Sequence, residues 1–169
     1  MISDWKTSGK STSETAEVQG QAKSGRDCMS RRHAREKALQ SLYQIDLLAE
    51  DPERVLRLMH ENFGVKEDAR DYMEQLVRGT WSHRPTIDPI IAQLSHGWEI
   101  GRMSVVDRNI LRMALYEMLY LELPASIAID EAVELAKMYS GQKAARFING
   151  ILGRVADEQE KYMAAKQQG

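Results

Sequence analysis

The chain of 169 residues carries 23 basic and 25 acidic side chains, a formal net charge of −2, and a single cysteine. That length fits one domain with a sizeable core. The near-neutral balance excludes a binder driven by overall charge, and Cys28 alone excludes an internal disulfide framework or a cysteine-rich zinc site. No stretch approaches the ~18 uninterrupted apolar residues of a membrane helix and the first residues lack a signal-type apolar run, so the expected location is the cytoplasm, away from any membrane.

In chain order, residues 1–28 hold only Ile2, Trp5 and Val18 as large apolar side chains. That is too little to offset the entropy of ordering them, and a disordered N-terminal extension is expected. Composition changes at Met29, the expected opening of the folded unit, with Ser30 as the cap of a first helix whose inward stripe is Ala34, Ala38, Leu42 and Ile45. Asp51-Pro52 starts a short second helix with Val55, Leu58, Met59 and Phe63 inward, ended by Gly64. Ala69, Tyr72, Met73, Leu76, Val77 and Trp81 mark a third, and Ile87, Ile90, Ile91 and Leu94 a fourth that stops near Gly97.

Ser104 and Asp107 form an S-x-x-D cap for the most apolar helix, with Ile110, Met113, Ala114, Met118 and Leu121 inward, expected at the centre. After Pro124 a sixth helix carries Ile129, Ala132, Val133 and Ala136, with acids early, Lys137 late and Ser140-Gly141 as its stop. A seventh carries Ala144, Phe147, Ile148, Ile151, Leu152 and Val155. Residues 158–169 lose the stripe and are expected to form a polar tail. The spacing therefore predicts an all-α domain of about seven helices over residues 29–157.

Several apparent sites fail on chemistry. "SGKST" at Ser8 to Thr12 lacks the first glycine of a phosphate loop, since Asp4 stands there, and no strand precedes it. His33, His60, His83 and His96 never pair four apart around a helical glutamate, so no metal site is expected. Cys28 has no base arranged beside it. Asp130, Glu131 and Glu134 are read as structural, stabilised by the dipole of the helix they open. No catalytic residue, metal or cofactor is expected, and the chain is read as non-enzymatic.

Arg31, Arg32 and Arg35 are harder to explain. Lys23 to Lys37 carries a net +4, leaving −6 for the rest. Positive charge at a helix start opposes the dipole, so a local cost implies an anionic partner held by the arginines and the free N–H groups together. The alternative is a solvated basic face partly neutralised by Glu36.

"SRRHAREKALQSLYQ", "DRNILRMALYEM", "AIDEAVELAK" and "RFINGILGRV" resemble, in order and spacing, the NusB family of bacterial transcription antitermination proteins, over about Met29 to Val155. The resemblance implies two small helical subdomains packed together. It implies a partner, NusE, a small ribosomal-subunit protein, and a joint target, the single-stranded boxA element of nascent ribosomal RNA, within an antitermination complex on RNA polymerase. It places RNA contacts at Arg31, Arg32, His33 and Arg35, at Tyr43, and at Lys143 and Arg146 where the last large helix begins. For Tyr43 a half-buried core position is the alternative. Asp107 and Arg108, expected to be exposed, are the implied protein contacts, and the acidic body suits a cationic partner. The sequence leaves open whether the free chain is a monomer or a homodimer. Competing readings are a helical interaction adaptor without specific RNA binding and the NusB-like module of an rRNA-modifying system, although the chain has no α/β catalytic domain of the kind a methyltransferase would need.

Overall fold

A computed structural model describes residues 13–166, with side chains from Met29 onward. Its elements are α1 (Ser13–Leu48), α2 (Pro52–Asn62), α3 (Glu67–Ser82), α4 (Arg84–Leu94), a single 3₁₀ turn (Ile100–Arg102), α5 (Val105–Leu119), α6 (Ala125–Tyr139), α7 (Gln142–Asp157) and α8 (Gln159–Lys166). The described residues contain no strand. An N-terminal group, in which α1 packs on α2 and α3, meets a C-terminal group of α5, α6 and α7. Helix α5 touches α1, α3, α4, α6, α7 and α8, and every residue from Asn109 to Leu119 is buried. Surrounding it with apolar stripes removes Leu, Ile and Met side chains from water at about 1.5–3 kcal/mol each.

The caps follow from local chemistry. Asp51 accepts a hydrogen bond from the Arg54 amide at 3.0 Å, with Pro52 in the first turn of α2. Ser104 Oγ accepts from the Asp107 amide at 3.0 Å. Gly141, at φ +98°, makes the turn between α6 and α7 in a conformation that a Cβ would strain. Where α3 crosses α5, a Cβ on Gly79 would stand 1.9 Å from the Tyr116 ring, so the missing side chain is what lets the two helices meet.

Four expectations are corrected. Helix α1 does not start at Ser30: its backbone is helical from Ser13, so residues 13–28 are not disordered as expected, while 1–12 lie outside the described residues. Residues such as Glu14, Ala16, Glu17, Ala22 and Lys23 are strong helix formers with no proline among them, and extending a helix already nucleated against a core is cheap. In α2 Val55 and Met59 are buried as expected, but the third core side chain is Leu56, while Leu58 and Phe63 are exposed. Asp130 and Glu131 sit beyond the first turn of α6, which opens at Ala125, so the helix dipole does not account for them.

The fourth correction is the polar tail, which forms α8. Tyr162 is buried, Gln159 Nε2 donates to the Met118 carbonyl at 3.5 Å, and Lys166 Nζ donates to the Leu119 carbonyl at 3.0 Å. The last carbonyls of α5 have no partners within their own helix, and a cation beside them is favoured by the dipole. One tyrosine and two donors therefore dock a segment that shows no stripe.

Candidate nucleic-acid interface

Because α1 runs through Ser30, the arginines stand in mid-helix, where the backbone N–H groups are already bonded, and the expected anion pocket of free amides does not form at this point. The side chains separate by face. Arg31 and Arg32 are exposed. The Arg31 guanidinium lies 5.4 Å from the centre of the Tyr72 ring, and Arg32 donates from Nε and Nη2 to Glu131 on α6 at 3.1 and 2.7 Å. His33 is half-buried.

Arg35 is only 3% exposed, which corrects its expected role as an RNA contact. Its Nε donates to Glu117 Oε1 at 2.9 Å, its Nη2 donates to the Tyr72 hydroxyl at 3.4 Å, and its Nη1 lies 3.6 Å from Glu131. Tyr72 donates to the same Glu117 oxygen. Burial raises the Glu117 carboxyl above its usual range against the opposing pull of Arg35 and Tyr72, and burial with the Glu117 charge pushes the Tyr72 phenol up. The signal for this was present: Arg35 precedes Ala38 and Leu42 at helical spacing and so belongs to the inward stripe.

Arg32 with Glu131 and Gln40 with Tyr139, whose hydroxyl accepts from Gln40 Nε2 at 3.2 Å, span the same sequence interval, so α1 and α6 run parallel across this face. The two bridges lie about 12 Å apart along the helices. Tyr43 stands three turns beyond Arg32 on the same side of α1 and is 39% exposed, so it is not a core tyrosine. With Leu39, Met59, Phe63, Val106 and Tyr139 it lines a groove of about 410 Å³. Phe63 and Tyr139, both exposed, were missed from sequence because their positions also fit apolar stripes.

Lys143 and Arg146 are exposed in the first turns of α7, which follows Gly141 without a side-chain cap, so free amides do accompany these two cations. Lys143 lines a hollow of about 360 Å³ with Trp98, Met103, Ser104, Asp107 and Phe147. The Trp98 and Phe147 rings lie 6.2 Å apart, and Trp98 is exposed. Neighbouring residues, Val106 and Asp107 on α5 and Tyr139 and Ser140 at the end of α6, place the groove and the hollow side by side.

Asp107 and Arg108 are half-buried, not exposed as expected. Arg108 Nε donates to Asp46 Oδ2 at 2.6 Å. The same carboxylate accepts from Asn109 at 2.8 Å and Arg112 at 2.9 Å, while Arg112 forks onto Asp88 at 2.7 and 2.8 Å. Burial alone would raise the Asp46 carboxyl, but hydrogen bonds from Arg108 and Asn109 and the charges of Arg112 and Arg108 outweigh it and hold it below the usual range. Arg108 is thus committed internally, and Asp107 alone of the pair borders an open hollow. Among the described residues no cluster of His, Cys, Asp and Glu could hold a metal, and no helix is long and apolar enough to cross a membrane.

The NusB family profile matches residues 32–157 of the chain. A transcription antitermination protein NusB from Pelotomaculum thermopropionicum is 50% identical over 135 residues, covering 79% of this chain and 94% of that protein. Among solved structures, T. maritima NusB is similar at a TM-score of 0.68 and 35% identity, over 76% of this chain and 91% of that one. A crystal structure of antitermination factors NusB and NusE in complex with double-stranded RNA is similar at a TM-score of 0.69 and 30% identity, over 77% and 98% of the respective chains.

Proposed function

Because the chain belongs to the NusB family, we propose that it is a non-enzymatic transcription antitermination factor which, with NusE, binds the boxA element of nascent ribosomal RNA. The observation that carries this reading is the exposure on α1 of Arg31, of Arg32 and of Tyr43 three turns beyond Arg32 on its side, together with exposed Lys143 and Arg146 on α7. Guanidinium groups neutralise phosphates, while a tyrosine ring with an open face stacks on an unpaired base for ~1–3 kcal/mol. The cations therefore supply general affinity and the aromatic groove the preference for unpaired bases. His33 flanks the arginines at the edge of this surface.

The NusE contact is assigned to Asp107 with exposed Trp98 beside it, an acid and a large ring of the kind that anchors a cationic partner. The bound pair acts in the cytoplasm within the antitermination complex on RNA polymerase. Residues 29–157 form the working domain, a boundary supported by the extent of the family match.

The test is binding of a short boxA RNA, a scrambled strand and a duplex of equal length, with and without NusE, at several salt concentrations. The expected result is a preference for boxA that strengthens with NusE. Replacing Arg31 and Arg32 by Ala should flatten the log–log salt slope by about 0.7 for each phosphate that the chain no longer neutralises. Equal, weak binding to all three RNAs in every condition would overturn the reading.

A further inference from the structure

Within that reading of Arg32 as an RNA contact, we propose that Glu131 occupies the place of an RNA phosphate, holding Arg32 in a carboxylate fork that RNA must displace. Arg32 gives Glu131 the paired donors, Nε and Nη2, that a phosphate would also take in a two-point contact. Carboxylate and phosphate therefore compete for one side of one guanidinium.

The surroundings show which partner moves. The Arg32 side chain is 53% exposed and Glu131 only 12%. Beneath the fork, Arg35 Nη1 lies 3.6 Å from the second Glu131 oxygen, and the Arg35 side chain is itself 4% exposed and tied to Glu117. Glu131 thus stays put with a buried cation behind it, while the long, half-exposed arginine swings outward to a ligand. Its release does not leave the carboxylate without a counter-charge. The neighbouring acid on this face, Glu134, is engaged by Lys137 at 2.8 Å, and that hydrogen bond and charge hold its carboxyl below the usual range. Glu134 feels the Arg32 charge as well, but the carboxylate that forks Arg32 at hydrogen-bond distance is Glu131.

Any RNA that reaches Arg32 gives up the fork to do so. Glu131 accordingly lowers affinity by a fixed factor, which keeps strands offering few other contacts from occupying the face. A surface pair of this kind corresponds to roughly a 2- to 5-fold change in binding.

The experiment compares the full chain with Glu131→Gln, Arg32→Ala and the double variant, using the boxA RNA and the scrambled strand. Thermal unfolding is measured alongside. Glu131→Gln should bind both RNAs roughly 2- to 5-fold more tightly, and the gain should vanish in the Arg32→Ala background. Glu131→Asp keeps the charge beside Arg35 but is one methylene short of the fork. It should show a gain of the same sign, so the idea stays testable if the glutamine variant folds poorly. Unchanged or weaker binding by both Glu131 variants, with Arg32→Ala weakening RNA binding, would overturn the proposal and leave the RNA reading standing. An Arg32→Ala protein that binds RNA as the parent does would remove the premise and the proposal together.

Discussion

Arg32 and Arg35 lie within one turn of α1, yet 53% of the Arg32 side chain is exposed and only 4% of that of Arg35. The outer arginine is forked by Glu131 on α6 at 3.1 and 2.7 Å. The inner one closes a buried cluster with Glu117 and Tyr72 that joins α1 to α3 and α5. Identical chemistry thus stays at the surface on one side of a helix and provides cohesion on the other, and position on the inward stripe decides which.

The difference is broken most severely at Arg35. Replacing it by Ala leaves Glu117 buried without its cation and should cost about 3–5 kcal/mol in urea unfolding, far more than the loss of a surface charge. A variant lacking all three arginines would therefore report on folding and not on RNA. The folded chain already holds the Glu117 carboxyl above its ordinary value, so the stability contributed by its proton is complete below the ordinary glutamate range and is lost as pH rises through the raised value. Without Arg35 that rise is larger, and the penalty of Arg35→Ala should grow from acid to neutral pH. A pH-independent penalty would show that Glu117 stays neutral throughout.

Asp46 gives the opposite sign. Its carboxyl is held down by Arg108, Asn109 and Arg112 against the effect of burial, so its contribution is present above the ordinary aspartate range and is lost as pH falls through the depressed value. Asp46→Asn should cost about 1.5–3 kcal/mol at neutral pH and flatten the acid limb of the stability curve. At the small end, Arg32→Ala removes one exposed pair and should change stability by about 0.2–1 kcal/mol. A loss at Arg32 comparable to that at Arg35 would erase the distinction between the two faces.

The stripes of α3 to α7 were legible because burial recurs at helical period: Met73, Leu76 and Val77, or Ile148, Ile151 and Leu152, point inward as their spacing requires. Arg31, Arg32, Tyr43 and Arg146 lie in the motif blocks and Lys143 just before the last of them, and all five are exposed, which settles Tyr43 against its core alternative. What escaped has a common cause. Arg35 finds Glu117, and Arg108 finds Asp46, only through tertiary folding across long stretches of chain. Periodicity within one helix carries no information about such partners. Docking of α8 through Tyr162, Gln159 and Lys166 is another case, since it depends on carbonyls at the end of a distant helix.

The contact between Gly79 and Tyr116 also limits how the bundle can respond to a ligand. With the Tyr116 ring filling the space of a missing β-carbon, α3 and α5 cannot slide past each other without driving another side chain into that ring. Shear between packed helices is one common route for carrying a binding signal, and it is closed at this crossing.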